Sequence, residues 1–230
     1  SYSEADENDN FYIGLERFQT DGMSAMTHND EKDAYRNNSL VTNYSHEFSN
    51  KIELKSNLRF AETYLQYDKE VDTATAAHNE SANSLQSSSN IALVYKPNEK
   101  FTNKFTVANT HIKRRYNAAP GSGNTVKDNY YGKRNALMYS GNYNFNLDNS
   151  IVFGLEREDD QMGYNKNMMG MTHKDAYVTS SYFDIQNRIT NNVYATFGSR
   201  FDKHSLSGNE DSHRATIAYL FDDKSTKLKS

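Results

Sequence analysis

Cysteine and tryptophan are absent from this 230-residue chain, and proline occurs only twice. Without cysteine there are no disulfides and no thiol chemistry, which suits a protein exposed to an oxidising cell envelope. No stretch approaches 18 consecutive apolar residues, so a transmembrane helix is excluded. Neither sign of charge dominates: 26 Lys and Arg stand against 30 Asp and Glu, a net charge of -4 with no basic block. A nucleic-acid partner is therefore not expected. Nor does any Ser, His and Asp spacing fix a nucleophile against a base. His46, His111, His204 and His213 lie in or beside expected strands without forming a catalytic grouping, so the chain does not read as an enzyme. A mean hydropathy of -0.93 would ordinarily suggest a soluble protein. A membrane barrel stays open all the same, because only alternate residues of its strands meet lipid.

What is present is period two. Between Leu40 and Tyr64 two strands meet at Phe48-Ser49-Asn50-Lys51. On the second, Ile52, Leu54, Ser56, Leu58 and Phe60 alternate with Lys51, Glu53, Lys55, Asn57 and Arg59. One face is apolar and the other charged, over a length suited to a strand with lipid on one side and a water-filled lumen on the other. The pattern recurs. Strands are expected at 11–18, 39–48, 51–64, 86–96, 101–114, 133–145, 150–160, 175–187 and 192–202, with a last pair meeting at 222–225.

Short turns near residues 49, 98, 147, 190 and 223 alternate with long polar loops at 20–38, 65–85, 115–132, 161–174 and 203–212. Phe48, Tyr95, Phe101, Phe145 and Phe221 gather at the short-turn ends. A soluble all-β meander also alternates strands and turns, but has no reason to put every long loop at one end. The expected fold is all-β: an antiparallel up-and-down transmembrane β-barrel with short periplasmic turns and long external loops, in a Gram-negative outer membrane. The polar opening Ser1-Tyr2-Ser3-Glu4 and the ending Thr226-Lys227-Leu228-Lys229-Ser230 suggest an internal piece of a longer protein. Arg59, Arg114, Arg134 and Arg157 are expected to form lumen-facing ion pairs with Glu53, Glu156 and Glu158.

Methionine is concentrated in two of the expected loops: Met23 and Met26 in the first, Met162, Met168, Met169 and Met171 in the fourth. Met-Thr-His occurs in each, ending at His28 and His173, and only Met138 is placed in a strand. Thioether with imidazole suits copper, whereas flexible Met side chains equally form an adaptable contact for an organic ligand or pack loop on loop. Met23, Met26, His28, Met168, Met169, Met171 and His173 are thus the candidate substrate-binding residues. Acidic residues cluster as Asp30, Glu31 and Asp33 in the first loop and Asp68, Glu70 and Asp72 in the second.

Two stretches resemble TonB-dependent outer-membrane receptors. Gly198, Arg200, Asp202, His204, Ser205 and Gly208 match an "xGxRxDxHSxxG" pattern of the late barrel, followed by Tyr219-Leu220-Phe221. Gly22-Met23-Ser24-Ala25 with Asp33-Ala34-Tyr35-Arg36-Asn37 resembles the "GFSA…DGYRN" segment of the vitamin-B12 (cobalamin) receptor group; Met23 replaces Phe and Ala34 replaces Gly. The resemblance implies a 22-stranded plugged barrel. Residues 1–230 are then an internal segment of the barrel domain supplying about ten complete strands, with the plug domain absent. It also implies import of a scarce nutrient, cobalamin or another corrinoid, through contact of the missing plug with the TonB system. A copper or other metal-chelate receptor and a small complete porin-like channel are the alternatives. In the cobalamin group, acidic external loops bind Ca²⁺, which implies that role for the two acidic clusters, Asp33 aligning best. No covalent cofactor is expected. The other partners are outer-membrane lipid and a small nutrient ligand.

Overall fold

The computed structural model describes residues 1–23, 32–67, 80–117, 127–165, 170–221 and 226–229. These residues contain no helix. They form one antiparallel sheet of twelve strands, each hydrogen-bonded to its neighbours in chain order. The strands are β1 (Tyr2–Ala5), β2 (Asp9–Thr20), β3 (Tyr35–Ser49), β4 (Ile52–Tyr67), β5 (Glu80–Asn98) and β6 (Phe101–Asn117). They continue with β7 (Lys127–Asn144), β8 (Ser150–Asn165), β9 (Met171–Arg188), β10 (Val193–His204), β11 (Gly208–Leu220) and β12 (Lys227–Lys229). Ten are long and the two edge strands are short, which agrees with the number expected.

The short turns share one device. A side-chain oxygen at the start of the turn accepts backbone N–H groups that the ladder leaves unpaired. Asp6 Oδ1 takes the amides of Asn8 and Asp9 at 2.8 and 2.7 Å. Asn98 Oδ1 takes those of Lys100 and Phe101, both at 3.0 Å. Thr190 Oγ1 does the same for Asn192 and Val193. At Asn50-Lys51 a register shift between Glu47 and Ser49 precedes the turn.

Residues opposed across an antiparallel ladder share a face, so the register sorts every side chain. Leu54, Leu93, Phe105, Tyr139, Leu155 and Ser181 stand in one cross-strand row. Ile91, Val107 and Leu137 extend the same apolar belt. Its members are well exposed: Val107 58%, Leu137 59% and Leu155 60%. The buried residues Ala61, Ala82, Ala92, Ala136 and Ala218 all stand on the opposite, polar face. Small residues crowd there as they do where a curling sheet draws its inner side chains together. A single layer has no interior core, so each face must be matched to its own surroundings.

Three expectations change. The fifth long loop, 203–212, is a tight turn of three residues, Ser205-Leu206-Ser207. His204 Nδ1 accepts the amides of Leu206 and Ser207 at 3.0 and 3.1 Å, and Gly208 takes φ +87°, which a side chain would strain. The fourth loop also shrinks, because β8 and β9 run on to Asn165 and back from Met171. Met162 and Met171 are therefore strand residues. Finally, Arg157 stands on the belt side, paired with Asp159 at 2.8 Å, and not on the polar face.

Candidate functional site: the polar face of the sheet

The middle of the polar face carries a ladder of charge across five strands, β7 to β11. Arg134 on β7 grips Asp160 on β8 with two hydrogen bonds, 2.7 and 2.8 Å, and reaches Glu158 at 3.3 Å. Arg200 on β10 spans the next gap. It bonds Glu156 on β8 at 2.9 Å, Ser180 on β9 at 2.8 Å and Asp202 on its own strand at 2.9 Å. The Ser180 hydroxyl, 2% exposed, donates in turn to Asp202. Arg214 on β11 pairs with Asp184 on β9. Planar guanidinium forks suit this work because one side chain can satisfy carboxylates on two strands. Glu53 pairs with Lys55 at 2.9 Å, whereas Arg59 and Arg114 make no ion pair with a described residue. Of the expected inward pairs, the one from Arg134 to Glu158 is present. Arg200, which takes Glu156, was not foreseen.

At the end of the sheet away from the short turns the polar face becomes aromatic. Tyr67 on β4, Tyr116 on β6, Tyr130 on β7 and Tyr164 on β8 make a row. Their ring centroids are 6.4, 5.8 and 6.3 Å apart, two contacts edge-on and the last stacked. Such spacings are those of favourable aromatic pairs. The omitted strand, β5, contributes Glu80, directly opposite Tyr67, and Ala82, opposite Tyr116. Phe18 and Tyr35 form a further pair at 6.0 Å between β2 and β3. A groove of about 420 Å³ adjoins the row, lined by Thr110, Ile112, Arg134, Asp160 and Met162 among others. Sequence reasoning missed the tyrosine row. Its signal was a tyrosine on the polar face at the loop-side end of strand after strand.

Of the residues singled out from the sequence, Met26, His28, Asp30, Glu31, Asp68, Glu70, Asp72, Met168 and Met169 lie outside the described residues. Met23 follows β2 and is 87% exposed. Asp33 is held close to Gly22: a Cβ there would fall 2.0 Å from the Asp33 carbonyl oxygen, and Gly22 has φ +68°. Both ends of the "GMSA…DAYRN" match are thus packed together. Next to it, Gln66 donates to the Ala34 carbonyl at 2.8 Å, tying this segment to β4. Met171 and His173 begin β9 on the belt side of the sheet, where His173 Nδ1 meets the Tyr131 hydroxyl and the two rings are 5.7 Å apart. Among the described residues no three His, Asp or Glu side chains gather as a metal site would require.

A single-layer, neighbour-ordered sheet with an apolar belt on one side and paired charge on the other is a stretch of up-and-down barrel wall, like the barrel of TonB-dependent receptors. Solved structures agree on the fold. The outer membrane transporter YddB from Escherichia coli matches 99% of this chain over 36% of its own, with TM-score 0.80 and 12% identity. The ferric yersiniabactin uptake receptor FyuA from Yersinia pestis matches 96% over 42% of its own, with TM-score 0.70 and 13% identity. BauA, the ferric preacinetobactin receptor from Acinetobacter baumannii, matches 98% over 46% of its own, with TM-score 0.66 and 11% identity. These neighbours are outer-membrane transporters and receptors, not enzymes, and the chain spans less than half the length of each. No protein-family model and no curated protein matches the chain.

Proposed function

We propose that this chain forms part of the wall of a Gram-negative outer-membrane receptor that imports a scarce nutrient with energy coupled through TonB. The observation that carries the reading is the division of one continuous sheet into an apolar belt and a charged, aromatic-tipped polar face. The belt then meets lipid, the polar face lines the lumen, and the short turns point to the periplasm. Strands of 16 to 19 residues, such as β4 and β5, extend well past the belt. At ~3.3 Å per residue they exceed the hydrocarbon core and lift the tyrosine row above the membrane, where a solute arrives. The remaining strands, the plug and its contact with TonB belong to chain outside these residues.

For the nutrient, the resemblance of Gly22-Met23-Ser24-Ala25 and Asp33-Ala34-Tyr35-Arg36-Asn37 to the cobalamin receptor group, with Gly22 held close to Asp33, supports cobalamin or a related corrinoid, with Ca²⁺ ordering the acidic loops. A metal chelate is the second reading; it is favoured by the ferric ligands for which FyuA and BauA are named and by the methionine-rich segments. Growth of cells carrying the complete receptor, with cyanocobalamin, a ferric siderophore or copper as the limiting nutrient and with or without TonB, separates the readings. Rescue by cyanocobalamin that needs TonB is the expected result. Rescue by the siderophore or copper alone selects the metal reading, and passage of every solute without TonB would replace the receptor by an open channel.

A further inference from the structure

Beside the first tyrosines of the row stands a carboxylate with no ion-pair partner among the described residues. Glu80 is 7% exposed, and its Oε2 finds no hydrogen-bond partner among the described residues. It occupies the β5 position of the row, opposite Tyr67, with Tyr116 on the far side opposite Ala82. Asp128 on β7 stands opposite Tyr116, and both carboxylates act electrostatically on Tyr67. Of the cations of this face in register with β5, Arg114 comes nearest to Glu80 along the strand, opposite Ser84, four residues away. A carboxylate so enclosed calls for a donor of positive charge, because burial without one is costly.

We propose that Glu80, with the rings of Tyr67 and Tyr116 beside it, is a subsite for a ligand bearing an ammonium or guanidinium group on a flat apolar body. This rests on reading the segment as a receptor wall and names the class of solute it takes. The N–H groups of such a cation supply the hydrogen bond that Oε2 lacks, and the tyrosine rings attract the same charge through their faces. The rings of Tyr130 and Tyr164, 41% and 38% exposed, offer the flat body an aromatic contact. A metal ion suits the site poorly: Ca²⁺ takes 6–8 oxygens, and the described residues bring only two carboxylates to this place.

The test uses the complete receptor in detergent and three probes: naphthylmethylammonium, its neutral analogue naphthylmethanol, and CaCl₂. Binding is read from naphthalene fluorescence, and folding from heat-modifiable gel mobility. The ammonium should bind at least about tenfold more tightly than the alcohol, the scale of one charge-assisted hydrogen bond. Glu80→Gln should remove that preference and leave the alcohol's affinity unchanged, while Tyr116→Leu should weaken both. Equal affinity for the two organic probes, no binding of either, or an unchanged preference in folded Glu80→Gln overturns the proposal. So does Ca²⁺ that displaces the ammonium and itself needs Glu80. Loss of TonB-dependent uptake would undo the receptor reading whatever the probes show, whereas charge-blind binding with intact uptake undoes only this subsite.

Discussion

At the scale of the residue, one side chain matters where it joins strands distant in sequence. Arg200 bonds groups on β8, β9 and β10, and its removal leaves Glu156 and Asp202, on either side of Ser180, without the cation they share. Because Arg200 is itself 40% exposed, solvent screens much of the interaction. Arg200→Ala is expected to cost about 1–2 kcal/mol, measured as a lowered melting temperature of the complete receptor in detergent, and Arg200→Lys should restore part of it. Arg157, on the other side, should matter less: its one carboxylate partner, Asp159, lies two residues along the same strand. At Gly22 both the positive φ and the closeness of the Asp33 carbonyl oppose a side chain. Gly22→Ala should push the 32–34 segment from β4, seen as faster hydrogen exchange of the Gln66 amide. An unchanged rate would show that the segment is not held there.

At the scale of the element, the alternation within one strand separates two environments a single residue apart. Leu137 stands on the belt and Met138 on the polar face, opposite Glu156. Leu137→Arg is expected to destabilise folding into bilayers by ~2–4 kcal/mol, the cost of a charge on the lipid face of a barrel. Met138→Arg should be tolerated, since it gains an acidic neighbour and stays in water. Equal costs at both sites would reverse the assignment of the faces. The same alternation explains where strand ends were misjudged. Beyond Leu155 the belt side of β8 carries Arg157, Asp159 and Gln161 in place of apolar residues, Arg157 standing directly opposite Leu137. The ladder persists there while the apolar signal ends, so residues 161–165 read as loop. Arg157 read as inward because a charge on a strand suggests a lumen, whereas its odd position puts it on the belt side, where Asp159 pairs with it.

At the scale of the molecule, the described turns near residues 7, 50, 99, 147 and 191 lie at one end, and the longer connections lie at the other together with the tight turn Ser205-Leu206-Ser207. This asymmetry predicts orientation. The chain has no cysteine, so single replacements report cleanly. In intact cells a membrane-impermeant maleimide should label Leu206→Cys and leave Asn98→Cys unlabelled until the outer membrane is broken. The opposite pattern would invert the receptor, and labelling of both would remove the membrane from the argument.

Sequence by itself determined the alternation of faces, the asymmetry of turns and loops, and about ten long strands, because these follow from residues near one another along the chain. It also carried the signs of its later corrections: His204 and Gly208 belonged to the matched pattern, although only the structure has the imidazole accepting two amides and closing the turn. Partners across strands were decided by tertiary structure alone. A shift of one residue in register turns every side chain to the other face, and nothing local records which register is taken. Register set Arg200 beside Glu156, placed Met171 and His173 on the belt side, and lined up Tyr67, Tyr116, Tyr130 and Tyr164 in a row whose first member stands opposite Glu80.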